Sequence, residues 1–464
     1  MLLKYFYDKA LAQASYVVAC QKTKEAVVID PMRHIEPYLT AAQEEGLTIR
    51  IVTETHIHAD FVSGARELAA ATGGALYLSG AGGTDWQYRF LDPARGDRAL
   101  HDGDTFSIGQ VRIGVLHTPG HTPEHLCFTV TDGAHADKPM GIFTGDCVFV
   151  GDLGRPDLLE TAAGLHGSAA AGARGQWENV QRFRQMPDYL QIYPGHGAGS
   201  ACGKDLGAVP TTTVGYEKQF NPGFMFHDAE AFARWLLSDQ PETPRYFQHM
   251  KRINREGPPL LADLPTPETL EGFALADMIK SGANVIDARY DARDSSVIAG
   301  TIRILPGGTF STYAGWMVDY DQPTYLIADA PNIERLIQEL RAVGIDRVTG
   351  VFPPGQVEAS KQFFPSVSPE GAQRLIDEQH ALVIDVRAAG EYAEGHIPGA
   401  LNLPYGLLAD HLAALPQDRP LIVHCQSGVR SQIAMSLLLK HGFTHAVNLA
   451  GGYAAWQHQP NAER

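Results

Sequence analysis

Two stretches of the chain concentrate residues whose types and spacing can do chemistry. Thr55-His56-Ile57-His58-Ala59-Asp60-Phe61 places two imidazoles and a carboxylate at alternate positions. It lies between Ile51-Val52-Thr53, a β-branched strand pattern, and Ala65 to Ala71, a run of helix formers. A strand-to-helix loop of this kind is where metal ligands collect on a rigid scaffold. The second stretch is Cys425-Gln426-Ser427-Gly428-Val429-Arg430-Ser431, which leaves the apolar run Leu421-Ile422-Val423-His424. Its small and flexible residues can wrap backbone N–H groups around the sulfur. Those donors, the start of a helix expected over 431–440, and Arg430 would favour the reactive thiolate. The bland alternatives are a polar surface loop for the first stretch and a packed structural cysteine for the second. A structural cysteine belongs inside a strand rather than at its exit.

The first 200 residues repeat one layout. Val111 to Leu116 delivers His117-Thr118-Pro119-Gly120-His121-Thr122-Pro123-Glu124-His125, Gly141-Ile142-Phe143-Thr144 presents Gly145-Asp146, and Gln191-Ile192-Tyr193-Pro194 delivers Gly195-His196-Gly197. With the opening motif, four short apolar strands each end in a histidine or aspartate on a loop. Unrelated polar loops have no reason to share that layout, so a convergent site is the economical explanation. His117 and His125 flank His121 and are the weaker ligand candidates, and Cys127 and Cys147 read as buried packing.

Length and composition limit what else the chain does. At 464 residues it exceeds one ordinary core and predicts about three domains. A net charge of −16 argues against binding nucleic-acid phosphates. Cys20, Cys127, Cys147, Cys202 and Cys425 form no CxxC pair, which predicts reduced thiols and a cytoplasmic location. No signal-peptide core follows Met1, and no apolar run approaches membrane-spanning length, so neither secretion nor a membrane span is expected.

The texture changes near residue 237. Residues 236–261 read as a linker, and Leu264-Pro265-Thr266-Pro267-Glu268 predicts the start of a helix. Two copies of a unit follow with a period of about 98 residues. Val285-Ile286-Asp287-Ala288-Arg289 is echoed by Val383-Ile384-Asp385-Val386-Arg387, and Thr266-Pro267-Glu268 by Ser368-Pro369-Glu370. Strands alternating with helical stretches predict parallel α/β units. Where the second copy carries Cys425, the first runs from Tyr325-Leu326-Ile327-Ala328 into Asp329-Ala330-Pro331.

Asp385-x-Arg387, Glu391-Tyr392, Gly395-His396-Ile397-Pro398-Gly399-Ala400 and the Cys425–Arg430 loop resemble a rhodanese domain over 366–464. The resemblance implies that Cys425 accepts a sulfane sulfur as a persulfide, stabilised by Arg430 and the amides of Gln426, Ser427, Gly428 and Val429. It makes 262–355 a second rhodanese domain, silent because Asp329 stands near the cysteine position. His56-x-His58-x-Asp60, His121, Asp146 and His196 resemble the metallo-β-lactamase superfamily over 1–235, which implies an αββα sandwich with metal at one edge. The fold class expected is therefore a multidomain α/β chain: that sandwich, then two α/β rhodanese domains with parallel sheets. Most hydrolases of the superfamily carry H-x-H-x-D-H and two metals. Phe61 stands at the last histidine and offers no lone pair, which disfavours dinuclear zinc.

Two histidines and one carboxylate suffice for a facial triad suited to non-haem Fe(II), with three-ligand zinc as the competing geometry. The resemblance is nearest the persulfide dioxygenase branch. It implies one Fe(II) per chain on His56, His121 and Asp146, with His58, Asp60 and His196 orienting ligands and water or serving as alternative ligands. It also places Arg155, in Gly154-Arg155-Pro156-Asp157, facing a thiol substrate, against the plainer reading of an ion pair with Asp157 or Asp152. The expected partners are a small thiol persulfide of glutathione or coenzyme A type, O2, and sulfite or thiosulfate; a homodimer is the base-rate assembly. The competing readings are a zinc thioester hydrolase of glyoxalase II type fused to a rhodanese, and a sulfur carrier or sensor without turnover.

Overall fold

The computed structural model describes residues 1–161, 167–290 and 296–458. The chain divides into two compact units, Met1–Leu264 with Arg341–Gly344, and Pro265–Leu340 with Ile345–Arg464. The last six residues of the expected 366–464 domain lie outside the described residues.

The first unit contains two six-stranded sheets. One runs in chain order: Leu2–Asp8 (β1), Gln13–Ala19 (β2), Glu25–Ile29 (β3), Thr48–Thr53 (β4), Ala75–Ser79 (β5) and Arg98–Leu100 (β6). The other is built from Thr105–Ile108 (β7), Val111–His117 (β8), Leu126–Asp132 (β9), Gly141–Gly145 (β10), Gln191–Pro194 (β11) and Thr212–Thr213 (β12). Alternation along the strands supplies three apolar layers. Tyr16, Val18, Val27 and Ile29 face Ile113, Val115, Phe128 and Phe143 between the sheets. Val17, Ala19 and Val28 on the outer face of the first sheet meet Tyr38, Leu68 and Ala69 from the helices Glu36–Glu45 and Ala65–Thr72. Ile142 and Ile192 meet Val180 and Phe183 of the helix Ser168–Arg184 on the far side. This is an αββα sandwich.

The segment 236–261, expected to be a linker, is not one. It carries the helix Phe247–Glu256, with Phe247, Met250 and Asn254 buried in the first unit. Its prolines cluster before and after that helix, and those flanks gave the linker-like reading.

In the second unit, Glu268–Thr269 (β13) forms a strand where a helix start was expected; the helix begins at Leu275. The further strands are Asn284–Asp287 (β14), Ser296–Ile298 (β15), Ile302–Arg303 (β16), Thr324–Ile327 (β17), Val348–Phe352 (β18), Lys361–Phe363 (β19), Ser366–Val367 (β20), Leu382–Asp385 (β21), Leu401–Asn402 (β22), Leu421–His424 (β23) and Ala446–Leu449 (β24). One parallel sheet has the order β13-β18-β17-β14-β16 and the other β20-β24-β23-β21-β22. Strand for strand these are the same arrangement, so the sequence repeat is a structural one. No described helix is long and apolar enough to cross a membrane.

Candidate metal centre and sulfur-transfer loop

The loops after β4, β8, β10 and β11 converge. His121 Nε2 lies 3.5 Å and His56 Nε2 3.9 Å from Asp146 Oδ2. His196 Nε2 lies 3.3 Å from Asp60 Oδ2 and 3.5 Å from Asp146 Oδ1. All five side chains are buried. The other ring nitrogen of each of these histidines is committed. His121 Nδ1 donates to the Arg155 carbonyl at 2.9 Å and His196 Nδ1 to the Ala12 carbonyl at 3.0 Å. The Thr55 hydroxyl donates to Asp30 Oδ2, which leaves it to accept from His56 Nδ1 at 3.0 Å. Each imidazole is thereby turned with Nε2 inward, the arrangement that metal-binding histidines need.

The inward atoms have no hydrogen-bond partner: Nε2 of His56, His121 and His196, and both carboxylate oxygens of Asp60 and Asp146. Leaving so many buried polar atoms unpaired is costly, and a cation would satisfy them together. Burial holds the His56 imidazole well below its ordinary pKa, and His58 and His121 reinforce this. Burial likewise brings His121 to about 4 against the pull of Asp146. Both rings are neutral at physiological pH, with lone pairs available. Burial opposes ionisation of Asp146, but the surrounding imidazoles outweigh it and hold the carboxyl below its usual value. One compact set comprises His56, His121 and Asp146; a second comprises Asp60, His196 and Cys202.

His58 is turned differently. Its Nε2 pairs with Asp30 Oδ1 at 3.2 Å, its Nδ1 is unpaired, and its ring lies 4.2 Å from that of Phe61. Phe61 is buried and walls the loop where a further ligand would stand. Asp30 does more than hold His58: it accepts from the Thr55 backbone N–H at 2.6 Å and adopts a left-handed backbone, φ 52°.

In the second unit Cys425 follows β23 and sits buried at the base of its loop, with the helix Val429–Lys440 starting beyond it. The Gly428 N–H donates to Cys425 Sγ at 3.1 Å. Arg387 donates to Gln426 Oε1 at 3.2 Å, and Tyr453 N–H to the Cys425 carbonyl at 2.8 Å. Ser427 and Val429 are exposed at the loop crest. Arg430 is paired through both terminal nitrogens with Glu391.

The description "Metallo-beta-lactamase superfamily" matches residues 8–196, and "Rhodanese-like domain" matches 368–459. A crystal structure of a metallo-beta-lactamase from Staphylococcus aureus is 42% identical, with a TM-score of 0.69, covering 76% of this chain and 99% of that one. The chain belongs to the metallo-β-lactamase superfamily and carries a C-terminal rhodanese domain. Within the rhodanese part, a sulfurtransferase from Allochromatium vinosum is 40% identical over 85 residues, which are 18% of this chain and 79% of that protein. Within the lactamase domain, a hydroxyacylglutathione hydrolase from Rhodospirillum rubrum is 32% identical over 181 residues, 39% of this chain. The chain spans about three fifths of that relative's length (60%), and 61% of a beta-lactamase hydrolase-like protein from Xylella fastidiosa.

In the lactamase domain Arg155, expected from the resemblance to face a thiol substrate, makes its contacts within the protein. Its guanidinium is 2% exposed and donates to Asp157, to the carbonyls of Ala201 (3.1 Å) and Pro241 (2.8 Å), and to Thr243. Arg155 therefore ties the Cys202 loop down while its own carbonyl orients His121. His125 is a support rather than a ligand: it accepts from the Asp146 N–H at 3.1 Å. His117 points to the Pro123 carbonyl.

Two lactamase-domain residues escaped the sequence reading. Cys202 follows a glycine-rich turn that folds back toward His196, with no motif to mark it. Asn254, on the helix taken for linker, donates to the carbonyls of His58 and Phe61, both at 2.8 Å, and accepts from Ser63 N–H at 2.9 Å. It braces the whole histidine loop from a point nearly 200 residues away in sequence.

Proposed function

We propose that the chain is a cytoplasmic, bifunctional enzyme of sulfur metabolism, a persulfide dioxygenase joined to a persulfide-relaying sulfurtransferase. The observation that carries this reading is the His56–His121–Asp146 set beside a buried Phe61. Two neutral imidazoles and one carboxylate are the donor set that suits Fe(II) with positions left open. Bound Fe(II) would supply the activation of O2 toward the terminal sulfur. The protein's part is to keep His56 and His121 neutral with Nε2 inward, to hold Asp146 through His125, and to exclude bulk water by burying all three. The overall reaction is R–S–SH + O2 + H2O giving R–SH, sulfite and two protons. At the rhodanese loop, the Cys425 thiolate would take a sulfane sulfur, with the Gly428 N–H directed at it. The repeat 262–355, which has Asp329 near the cysteine position, is proposed to be a silent rhodanese domain.

The test is metal content of an untagged, anaerobically purified protein, followed by O2 uptake and sulfite release with glutathione or coenzyme A persulfide. Iron at one per chain with persulfide-dependent uptake is expected; no uptake with either substrate counts against the reading.

The Asp60–His196–Cys202 set favours a second reading, a zinc thioester hydrolase, because it offers donors for a further cation despite Phe61. That reading predicts two zinc ions and hydrolysis of an acyl-glutathione without O2.

A further inference from the structure

Within the second unit, the repeat that lacks the cysteine packs against the one that has it. Trp316 of the former lies so close to Gly406 of the latter that a Cβ there would be 2.2 Å from its ring. The two repeats match strand for strand, and their registers show where they differ. Asp287 on β14 stands opposite Ile327 and Arg303, and Asp385 on β21 stands opposite His424 and Asn402. Ala328 therefore occupies the place of Cys425, and Arg303 the place of Asn402.

Arg303 and Asn402 are employed differently. Asn402 stays within its own repeat, donating to the carbonyls of Asp385 at 3.1 Å and Arg387 at 2.9 Å. Arg303 reaches out of its repeat. It is fully buried, with Nη1 3.5 Å from Asp287 Oδ2. Its backbone N–H donates to Ser436 Oγ at 2.9 Å and its Nε to Gln432 Oε1 at 3.3 Å. Ser436 and Gln432 lie on the helix Val429–Lys440, which begins at the Cys425 loop. From Gln432 a chain of hydrogen bonds leads to the sulfur. Its backbone N–H donates to the Gly428 carbonyl at 3.3 Å, which also accepts from the Ser431 hydroxyl at 3.1 Å. Gly428, with φ 116°, directs its own N–H at Cys425 Sγ at 3.1 Å. Arg387 holds the loop from its other side through Gln426.

We propose that Arg303 is a positioning residue for sulfur transfer: by holding Gln432 and Ser436 it fixes the first turn of the helix, and with it the Gly428 N–H aimed at Cys425. The inference rests on the reading of Cys425 as the sulfur-accepting residue. In the step concerned, the Cys425 thiolate attacks the outer sulfur of thiosulfate. A new S–S bond forms, the old S–S bond breaks, and sulfite leaves with the bonding pair, so the charge of minus three is conserved. The attacking sulfur must be a thiolate and must be aligned with the bond it breaks. A donor N–H held at Sγ serves both needs, because it favours the thiolate and fixes where the sulfur sits. Arg303 touches no substrate, so it acts on turnover rather than on binding. The cysteine-less repeat thus acquires a role as the wall against which the reactive loop is braced.

Variants of the full chain test this. Arg303→Met keeps an unbranched apolar stem, and Asp287 retains its two bonds from Arg289. Gln432→Met removes the acceptor on the helix from a half-buried position, and carries the test alone if Arg303→Met does not fold. In transfer from thiosulfate to a thiol, each should lower kcat about tenfold, short of the roughly hundredfold that a misplacement of about 1 Å costs, with the KM for thiosulfate unchanged. Gln432→Glu, which keeps an acceptor oxygen for Arg303, should retain the wild-type kcat. The double variant Arg303→Met with Gln432→Met should be no slower than either alone, since both break one contact. Alkylation of Cys425 by iodoacetamide, a readout independent of turnover, should slow in step with kcat. Wild-type kcat in Gln432→Met, equal loss in Gln432→Met and Gln432→Glu, a change confined to KM, or additive losses in the double variant overturns the proposal. Wild-type protein that transfers no sulfur refutes the Cys425 reading, and this inference falls with it.

Discussion

Phe61 decides more at the first site than any residue able to bind metal. Its buried ring lies 4.2 Å from that of His58 and offers no lone pair to a cation. On the proposed single-metal reading, Phe61→His should raise bound metal from one toward two per chain, with zinc favoured. Mass spectrometry of protein reconstituted with each metal checks this, and unchanged stoichiometry contradicts it. At the second site the telling pair is Glu391 with Arg430. Hydrogen bonds from Arg430 hold the Glu391 carboxyl below its ordinary value of 4.5. A carboxyl depressed on folding contributes stability that is present above its unfolded value and is lost as pH falls through the folded one. The stability difference between wild type and Glu391→Gln should thus be constant above about pH 5 and close on acidification. Urea midpoints over roughly pH 3 to 7 measure it, and a gap that widens in acid would refute the pairing as the cause.

At the scale of elements, the metal loop is held from outside itself. Asn254 satisfies two carbonyls and one N–H of the stretch 58–63 from the helix Phe247–Glu256. Asn254→Ala leaves those groups buried and unpaired, which should cost about 2–3 kcal/mol. Metal retention on dialysis should fall with it, whereas a variant equal to wild type in both would show the brace to be dispensable. This contact also marks the limit of what the sequence discloses. The ligand loops are legible because each follows a short apolar strand at a fixed offset, and β4, β8, β10 and β11 all appear where those runs stand. The 98-residue echo foretells two sheets of one topology. Asn254, Cys202 and the Ala12 carbonyl are not legible, because their roles come from contacts between distant segments with no local pattern. The Pro-rich flanks around 241–244 and 257–259 even point the wrong way, toward a linker.

For the whole molecule, the candidate metal centre and the Cys425 loop reside in separate compact units. Tethering them raises the concentration of one site near the other without requiring a channel. On the proposed function, Cys425→Ser should abolish sulfur transfer and leave O2 uptake with preformed persulfide intact. His121→Ala should remove bound metal and O2 uptake and spare transfer. Parallel loss of both activities in either variant would mean the units are functionally coupled.

Asp30 sets an evolutionary constraint on the first unit. A non-glycine residue in the left-handed region costs about 1 kcal/mol, yet its carboxylate holds the Thr55 amide, the Thr55 hydroxyl and His58 together. Asn or Gly relaxes the backbone at that position more readily than Asp. A library selected for heat tolerance alone should therefore admit replacements at Asp30 that a selection for catalysis rejects; equal acceptance under both regimes would show the carboxylate to be incidental.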